Sequence, residues 1–287
     1  KMELDRLAAR EIIVDSYGLN KVYFSKILVS QLKTYPKLKL PKGVITMVTK
    51  QSNNQLPHIR GLNNGEEGKN YGLDDCLAFL MECAGDERGL DYWTFVGITG
   101  DSIAQVYNRN PSTLCEYCVS GYLSGPEYLE YIFDTIGYEH TCVTASQINA
   151  NKTMYLQTVM AYIDKGMPVL VKTNLRDVPG LDTDVLTHFL IVGYEDEGKT
   201  LLFVFEGEGK LFRYDTTGTI QQDWVFMGNV KEKRSYQEIV RKAVQKMPAW
   251  LTWPEQNGMF FGASAFRAWA DDIEQGRYDN ETDLWSN

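Results

Sequence analysis

The alternation of hydrophobic and polar residues predicts helices, then a run of neighbouring strands, then further helices. Apolar residues recur at the spacing of a buried helical face in the segments 3–35, 76–85, 126–135, 155–165, 236–246 and 264–274. Segments rich in β-branched and aromatic residues predict strands at 43–49, 168–173, 188–194, 200–205, 210–215 and 224–227, and a short strand that starts at Val143. Strands grouped in this way favour an α+β fold in which N-terminal helices pack on an antiparallel sheet.

This pattern divides the chain into three parts. Residues 1–40 are expected to form a helical N-terminal segment, and residues 41–230 the main domain. Residues 231–287 are expected to form a helical extension that packs on the same domain. The total of 287 residues, 44% of them hydrophobic, is enough for a large core.

Composition and charge narrow the functional classes. The formal net charge of −9 disfavours nucleic acid as a partner. No apolar run approaches the roughly 20 residues that span a bilayer, and no signal peptide is recognised, so we expect no membrane association. Five cysteines at irregular spacing disfavour a disulfide framework and favour a reducing, cytoplasmic location.

One stretch near the N-terminus carries a different signal. The run G-L-N-K-V-Y-F-S-K, from Gly18 to Lys26, is followed by Pro36 and is similar to the recognition-helix end of AraC-type regulators. The match is short and its motif is loose. In an acidic chain it favours a remnant or a coincidence over a working DNA-binding helix.

The stretch 70–83, N-Y-G-L-D-D-C-L-A-F-L-M-E-C, predicts a loop that leads into a helix. Asp74 or Asp75 is the expected N-cap, which places Cys76 in the first helical turn. Backbone dipoles at a helix N-terminus favour a thiolate, so Cys76 is a candidate nucleophile. The alternative is an inert cysteine in the core, where most free cysteines lie.

A histidine far downstream completes a catalytic hypothesis. The Cys76 helix, the segment K-G-M-P-V-L-V at 165–171 and the segment H-F-L-I-V-G-Y-E-D-E-G-K-T-L at 188–201 resemble two related groups of bacterial proteins. These are the peptidases that process bacteriocins with double-glycine leaders and the acyltransferases of the butirosin-biosynthesis type. The resemblance implies a papain-like cysteine peptidase fold, with Cys76 as nucleophile and His188 as general base. It also implies that Asn70, where the family has glutamine, supplies the oxyanion donor together with the Cys76 N–H.

The resemblance further implies a third catalytic residue after the next strand. Glu206 is the first polar residue past that strand and is the preferred candidate, with Asp215 in reserve. The chain departs from the family at Asn70, at Glu206 and at Leu77, where the family has glycine, so a retained fold with altered or lost chemistry stays open. The structural alternatives are a buried hydrogen-bonded histidine for His188, a solvated charge for Glu206 and a turn-forming asparagine for Asn70.

A zinc site is a weaker hypothesis. Cys115 and Cys118 form a C-x-x-C pair, and His140 and Cys142 follow it, but the H-x-C spacing is too close for the usual second pair. The apolar surroundings favour buried structural thiols, so no metal or organic cofactor is expected. His58 is expected to be a loop residue, and no chemistry is assigned to it.

The sequence therefore supports two functional hypotheses. The first is a cytoplasmic thiol hydrolase, cysteine peptidase or acyltransferase that acts on a peptide or a small acyl or amide substrate. The second is a ligand-binding or sensor domain on the same fold that has lost catalysis and was once linked to a transcription regulator. The sequence does not determine the oligomeric state.

Overall fold

The computed structural model describes residues 51–62, 68–109, 114–115, 118–123, 125–177, 185–204, 210–256 and 258–278. The helices are α1 Gly72–Cys83, α2 Tyr92–Thr99, α3 Val119–Leu123, α4 Pro126–Ile136, α5 Ala145–Ala150, α6 Lys152–Asp164, α7 Tyr236–Leu251 and α8 Ala263–Glu274. The strands are β1 Asn54–Gln55, β2 Val106–Asn108, β3 Leu114–Cys115, β4 Tyr138–Val143, β5 Val169–Asn174, β6 Val185–Glu195, β7 Thr200–Val204, β8 Leu211–Asp215, β9 Asp223–Val230 and β10 Met259–Phe261. The helix predicted at 3–35 and the strand predicted at 43–49 lie outside the described residues.

Six strands form the body of one sheet, in the order β4-β9-β5-β6-β7-β8, and every neighbouring pair in this order is antiparallel. Strand β6 also pairs with β1, antiparallel, and with β3, parallel. Strands β2 and β10 form a separate two-stranded sheet. The fold is therefore α+β, with helices and an antiparallel sheet, as the sequence predicts.

Helix α6 covers one face of the large sheet, which we call the α6 face. The ring of Tyr162 on α6 lies 5.1 Å from the ring of Phe226 on β9. The hydroxyl of Tyr194 on β6 donates to the carboxylate of Asp164, the last residue of α6, at 2.8 Å. Because antiparallel partners share a face, the register identifies the other side chains that point to α6. They include Val171, Phe189, Ile191, Phe203, Phe212, Tyr214 and Trp224.

Helices α1, α2, α4 and α7 form a layer on the opposite face, which we call the four-helix face. The ring of Phe133 on α4 stacks on the imidazole of His140 on β4, with centroids 4.6 Å apart. Helix α1 packs against β6 and α2, and α2 packs against α4 and α7. The register extends this face from His140 across β9 and β5 to Lys172, and from Lys172 to its partner His188.

The alternation of side chains between the two faces of the sheet is interrupted at Val192 in β6. Ile191 and Gly193 pair with consecutive residues of β7, so Val192 is the extra residue of a β-bulge. The bulge reverses the alternation of side chains along the strand. Tyr194 therefore joins Ile191 on the α6 face, although an unbroken strand would point the two side chains to opposite faces.

Two local signals mark the helices that follow β3. Pro126 is at the start of α4, and Gly137, in the left-handed region with φ 79°, ends it, which confirms the predicted helix. The sequence predicts a strand that starts at Val143, but β4 ends there, so this prediction is wrong. The reason is a capping box, in which Thr144 and Gln147 exchange hydrogen bonds of 3.3 and 2.9 Å and start α5.

The remaining helices differ from the prediction mainly in length. Helix α6 begins at Lys152 rather than at 155, and α7 continues to Leu251 rather than stopping at 246. Helix α7 packs on α2 and α4, whereas α8 packs on the two-stranded sheet. Within the described ranges, no helix combines the length and the apolar character needed to cross a membrane.

Candidate functional site

The helix that carries Cys76 starts earlier than the sequence predicts. Its N-cap is Tyr71, whose carbonyl accepts the N–H of Asp75 at 3.3 Å. Asp74 and Asp75 lie inside the helix, so the prediction that one of them is the N-cap is wrong. Cys76 is the fifth residue of α1, and helical geometry directs its N–H to the carbonyl of Gly72. This N–H is therefore committed to the helix and is not placed to serve as an oxyanion donor.

A tyrosine from the next helix fixes the start of α1. The hydroxyl oxygen of Tyr92 accepts the N–H of Asn70 at 3.0 Å and the N–H of Tyr71 at 3.3 Å. It acts on the backbone much as the oxygen of a serine or aspartate N-cap does in other helices. Burial raises the pKa of Tyr92 to about 12, so its hydroxyl keeps its proton at neutral pH. The side chain of Asn70, the predicted oxyanion donor, is exposed beside this contact.

Arg60, in the segment before α1, forms ion pairs with two carboxylates of the helix. The guanidinium of Arg60 lies 2.8 Å from the carboxylate of Asp75 and 3.0 Å from that of Glu82. It also lies over the ring of Phe79, 5.1 Å from the centroid. Since the Asp75 side chain is only 1% exposed, the ion pair offsets the cost of burying its carboxylate.

Asp74 contacts a second buried carboxyl group, that of Asp101 after α2. Burial raises the pKa of Asp101, although hydrogen bonds from Ser120 and from the Asp74 side chain act in the opposite direction. The backbone N–H of Ser120 donates to Asp101 at 2.9 Å. Two carboxyl groups in contact do not both ionise readily, which acts in the same direction as the burial of Asp101. No local pattern marks this pair, because α1 and the end of α2 meet only in the folded chain.

His188 is the fourth residue of β6 and is 2% exposed. It faces the helical layer that contains α1, the Cys76 helix. Neither of its imidazole nitrogens has a hydrogen-bond partner among the described residues. Burial and, to a lesser degree, the charge of Lys172 lower the pKa of His188 to about 3, so the ring is neutral at physiological pH.

Two charged residues lie in the same row of the sheet as His188. Lys172 on β5 pairs with His188, and Asp223 on β9 pairs with Lys172. Asp223 is exposed and accepts the N–H of Ala145 at 2.7 Å. Strands are about 4.8 Å apart, so Lys172 rather than Asp223 is the immediate neighbour of the imidazole. A positive neighbour disfavours an imidazolium ion, and therefore a preformed thiolate–imidazolium pair.

The structure does not bring the reserve candidate for the third catalytic residue to His188. Asp215 pairs with Thr200, which pairs in turn with Glu195 at the far end of β6. At about 3.3 Å per residue, this end of the strand is about 20 Å from His188. The preferred candidate, Glu206, lies outside the described residues.

The other thiols lie in separate surroundings. Cys142 is half-buried on β4, and burial raises its pKa to about 11. Cys118 is buried, with its Sγ 3.3 Å from the Oγ of Ser120. Within the part of the chain that the structure describes, no group of three or more metal-capable side chains is placed to hold a metal ion. His58 is exposed in the segment that precedes α1.

No family model, curated protein or solved structure matches this chain. The roles that the sequence predicts for Cys76 and His188 therefore rest on the motifs of this sequence. The structure packs the Cys76 helix against the His188 strand. Asn70 lies in the loop before that helix, and Asp215 lies far from His188.

Proposed function

We propose that this chain is a papain-like thiol enzyme, a cysteine peptidase or a related hydrolase or acyltransferase, that acts on a peptide or amide-type substrate in the cytoplasm. Cys76 is the nucleophile, and His188 is the general base and acid. Glu206 orients the imidazole, and Asn70 is the oxyanion donor. This chemistry requires neither a metal ion nor an organic cofactor.

Support comes from the packing of α1 on β6. Helix α1 holds Cys76 in the helical layer, and β6 turns the imidazole of His188 toward that layer. The neutral imidazole has a lone pair that can accept the thiol proton, but a pKa of about 3 makes it a weak base, so its protonation state favours the second candidate below rather than the enzyme. A cysteine helix packed on a histidine strand is also the arrangement that the sequence resemblance implies.

The neutral state of His188 sets the order of proton transfers. The imidazole accepts the thiol proton as the sulfur of Cys76 bonds to the substrate carbonyl carbon. The resulting imidazolium then donates this proton to the leaving amine as the C–N bond breaks, which leaves a thioester on Cys76. Water or another acceptor, deprotonated by His188, then attacks the thioester and restores the thiol.

A ligand-binding domain without catalysis is the second candidate. It is favoured by the N–H of Cys76, which belongs to the helical ladder rather than to an oxyanion hole. It is also favoured by burial, since Cys76 is 0% and His188 2% exposed. In this case, the thiol and the imidazole are core groups, and a Cys76→Ser variant binds its ligand as the wild type does.

Labelling with a thiol-directed peptidyl acyl probe separates the two candidates. The enzyme is expected to be labelled at Cys76, and Cys76→Ala is expected to lose that labelling. Cys142→Ala is the matched control and is expected to keep it, because a thiol with a pKa of about 11 is protonated at neutral pH. Equal labelling of the wild type and Cys76→Ala contradicts the enzyme and supports the binding domain.

The role of His188 is tested by the labelling rate of Cys76. Loss of a general base typically costs about 100-fold or more, so His188→Gln is expected to slow labelling by about that factor. His140→Gln is the matched control, since His140 lies on the same four-helix face and its imidazole stacks on Phe133. A rate that responds equally to the two substitutions argues against a base at His188.

A further inference from the structure

Helix α7 has a lysine among its core-facing residues. Ile239, Ala243 and Trp250 are its buried residues, and they follow one another along one side of the helix. Lys246 comes three residues after Ala243 and four residues before Trp250, so it belongs to the same stripe. It is half-buried, whereas the helix has exposed positions on which a lysine would meet only water.

The ammonium group of Lys246 lies in a cage of three aromatic rings. Its Nζ is 4.8 Å from the ring centroid of Trp250, 5.1 Å from that of Tyr131 and 5.7 Å from that of Trp253. The Trp250 ring contacts both of the others, with centroids 5.5 Å from Tyr131 and 5.3 Å from Trp253. Single contacts of a cation with a ring are common in proteins, but convergence of three rings on one nitrogen is the arrangement of a cation-binding cage.

Lys242, one turn earlier on α7, differs from Lys246 in the groups that contact its ammonium. The ammonium of Lys242 donates to the carboxylate of Asp134 at 2.8 Å. Within the described residues, Lys246 makes no such ion pair, and its ammonium group contacts three aromatic rings. The indole N–H groups of Trp250 and Trp253 are also without hydrogen-bond partners among the described residues. The rings therefore act through their faces, which recognise positive charge.

The cage has a rigid floor and an accessible rim. Trp250 is 2% exposed and lies against Gly100, where even a Cβ atom would come within 2.8 Å of the indole. Gly100 has a φ of 91°, so both its space and its backbone conformation require glycine. Trp253 and Lys246 are only half-buried, so the occupant of the cage can exchange with solvent without unfolding the core.

We propose that Tyr131, Trp250 and Trp253 form a binding site for a quaternary or alkylated ammonium group, and that Lys246 occupies this site when no ligand is bound. A primary ammonium is strongly hydrated and keeps three N–H donors that ring faces satisfy incompletely. A tetraalkylammonium ion has no N–H donor and less hydration to lose, so the cage holds it more tightly than it holds lysine. The ligand therefore displaces the flexible side chain of Lys246 into solvent. The site is separate from Cys76 and His188 and does not depend on their chemistry.

Calorimetric titration with tetramethylammonium chloride, at ionic strength held constant with sodium chloride, tests the site. Removal of the competing side chain in Lys246→Ala is expected to tighten binding about tenfold relative to the wild type. Lys242→Ala, which removes a lysine from the same helix outside the cage, is expected to bind as the wild type does. Adding Trp253→Leu to Lys246→Ala is expected to abolish the gain. If Lys246→Ala binds no more tightly than Lys242→Ala, or if Trp253→Leu has no effect, the site is refuted.

A second measurement uses the wild-type chain and does not depend on the folding of any variant. The reactivity of each lysine toward an acetylating reagent is followed by mass spectrometry with and without tetramethylammonium. Expulsion from the cage is expected to raise the reactivity of Lys246 about threefold or more while that of Lys242 stays constant. An unchanged Lys246, or an equal rise at both lysines, refutes the displacement.

Discussion

The two faces of the large sheet carry different kinds of side chain, although the same strands supply both. On the α6 face, the register places side chains that are aromatic or aliphatic, among them Phe189, Phe203 and Trp224. On the four-helix face, the same strands carry His188, Lys172 and other groups that titrate. The strand period of two lets one face carry mainly aromatic and aliphatic side chains, with threonines and tyrosine hydroxyls among them, while the other face holds charged groups and imidazoles. The candidate nucleophile and the candidate base are therefore both expected in the layer between β6 and α1.

The first prediction, with the greatest expected loss of stability, concerns the core on the α6 face. Phe203 is 1% exposed on the α6 face, with its ring 6.3 Å from that of Phe189 and 5.4 Å from that of Tyr214. Phe203→Ala leaves a cavity there and is expected to lower the free energy of unfolding by about 3–5 kcal/mol, measured by urea denaturation. Phe212, its half-buried partner on β8, is the control, and Phe212→Ala is expected to cost less than half as much. Because Phe212 lies on the same face, a larger loss for Phe212→Ala than for Phe203→Ala would show that Phe203 is not a central residue of this core.

The second prediction concerns pH and the polar side. His188 is neutral in the folded chain down to a pKa of about 3, whereas a histidine in the unfolded chain titrates near 6.5. Between pH 3 and pH 6.5 the unfolded state therefore binds more protons than the folded state. The contribution of His188 to the free energy of unfolding is complete above pH 6.5 and is lost as the pH falls toward 3. At pH 5 the loss is about 2 kcal/mol relative to pH 7.5.

This loss is measured as the change with pH in the stability difference between the wild type and His188→Gln. The wild type is expected to lose its relative advantage as the pH falls from 7.5 to 5. Burial also lowers the pKa of His140, which is less buried, so His140→Gln is expected to remove a smaller pH-dependent contribution. A stability difference for His188→Gln that is constant over this range means that His188 is not a buried neutral base.

The third prediction concerns the start of the Cys76 helix. Tyr92→Phe removes the oxygen that accepts two backbone N–H groups and is expected to lower the free energy of unfolding by about 1–2 kcal/mol. Tyr236→Phe, at a position 42% exposed, is the control and is expected to change stability by less than about 0.5 kcal/mol. Equal stabilities of the two variants would show that the Tyr92 hydroxyl does not hold this helix.

The smallest effect is expected at Cys142, which lies on the four-helix face opposite Val225. Its thiol is protonated at neutral pH, because its pKa is about 11, and it packs as a small apolar group. Cys142→Val is therefore expected to change the free energy of unfolding by less than about 1 kcal/mol in thermal or urea denaturation. A loss above about 2 kcal/mol would assign a polar role to this thiol.

Where a signal is local, the sequence predicts the structure well. Helix α4 is bounded by Pro126 and Gly137, and the connection from β6 to β7 lies at Asp196–Gly198, inside the polar segment between two strand patterns. At Pro126 and Gly137 the backbone preferences of the residues themselves determine the outcome. At the connection, Asp196 and Glu197 have φ values of 50° and 58°, and their N–H groups donate to Asn53 and Ser52, so the sequence predicts its place but not its conformation. The two strands that flank the turn follow from their apolar and β-branched composition.

The sequence does not predict structural features that depend on contacts between residues far apart in the chain. The N-cap of α1 is missed because the group that stabilises it, the Tyr92 hydroxyl, comes from the following helix. The contact between Asp74 and Asp101 and the pairing of Lys172 with His188 likewise arise from tertiary packing and register. A lysine inside an otherwise apolar central strand is a usable signal, since such a residue is rarely buried without a special neighbour.

The bulge at Val192 has an evolutionary consequence for the polar layer. Because Val192 is an extra residue, the alternation of side chains between the two faces is shifted by one position between His188 and Tyr194. Loss of a single codon here would rotate one half of the strand by half a turn, either withdrawing the imidazole from the Cys76 layer or detaching Tyr194 from Asp164. Changes in chain length at this point, more than substitutions, are therefore the mutations able to move the imidazole from one side of the molecule to the other.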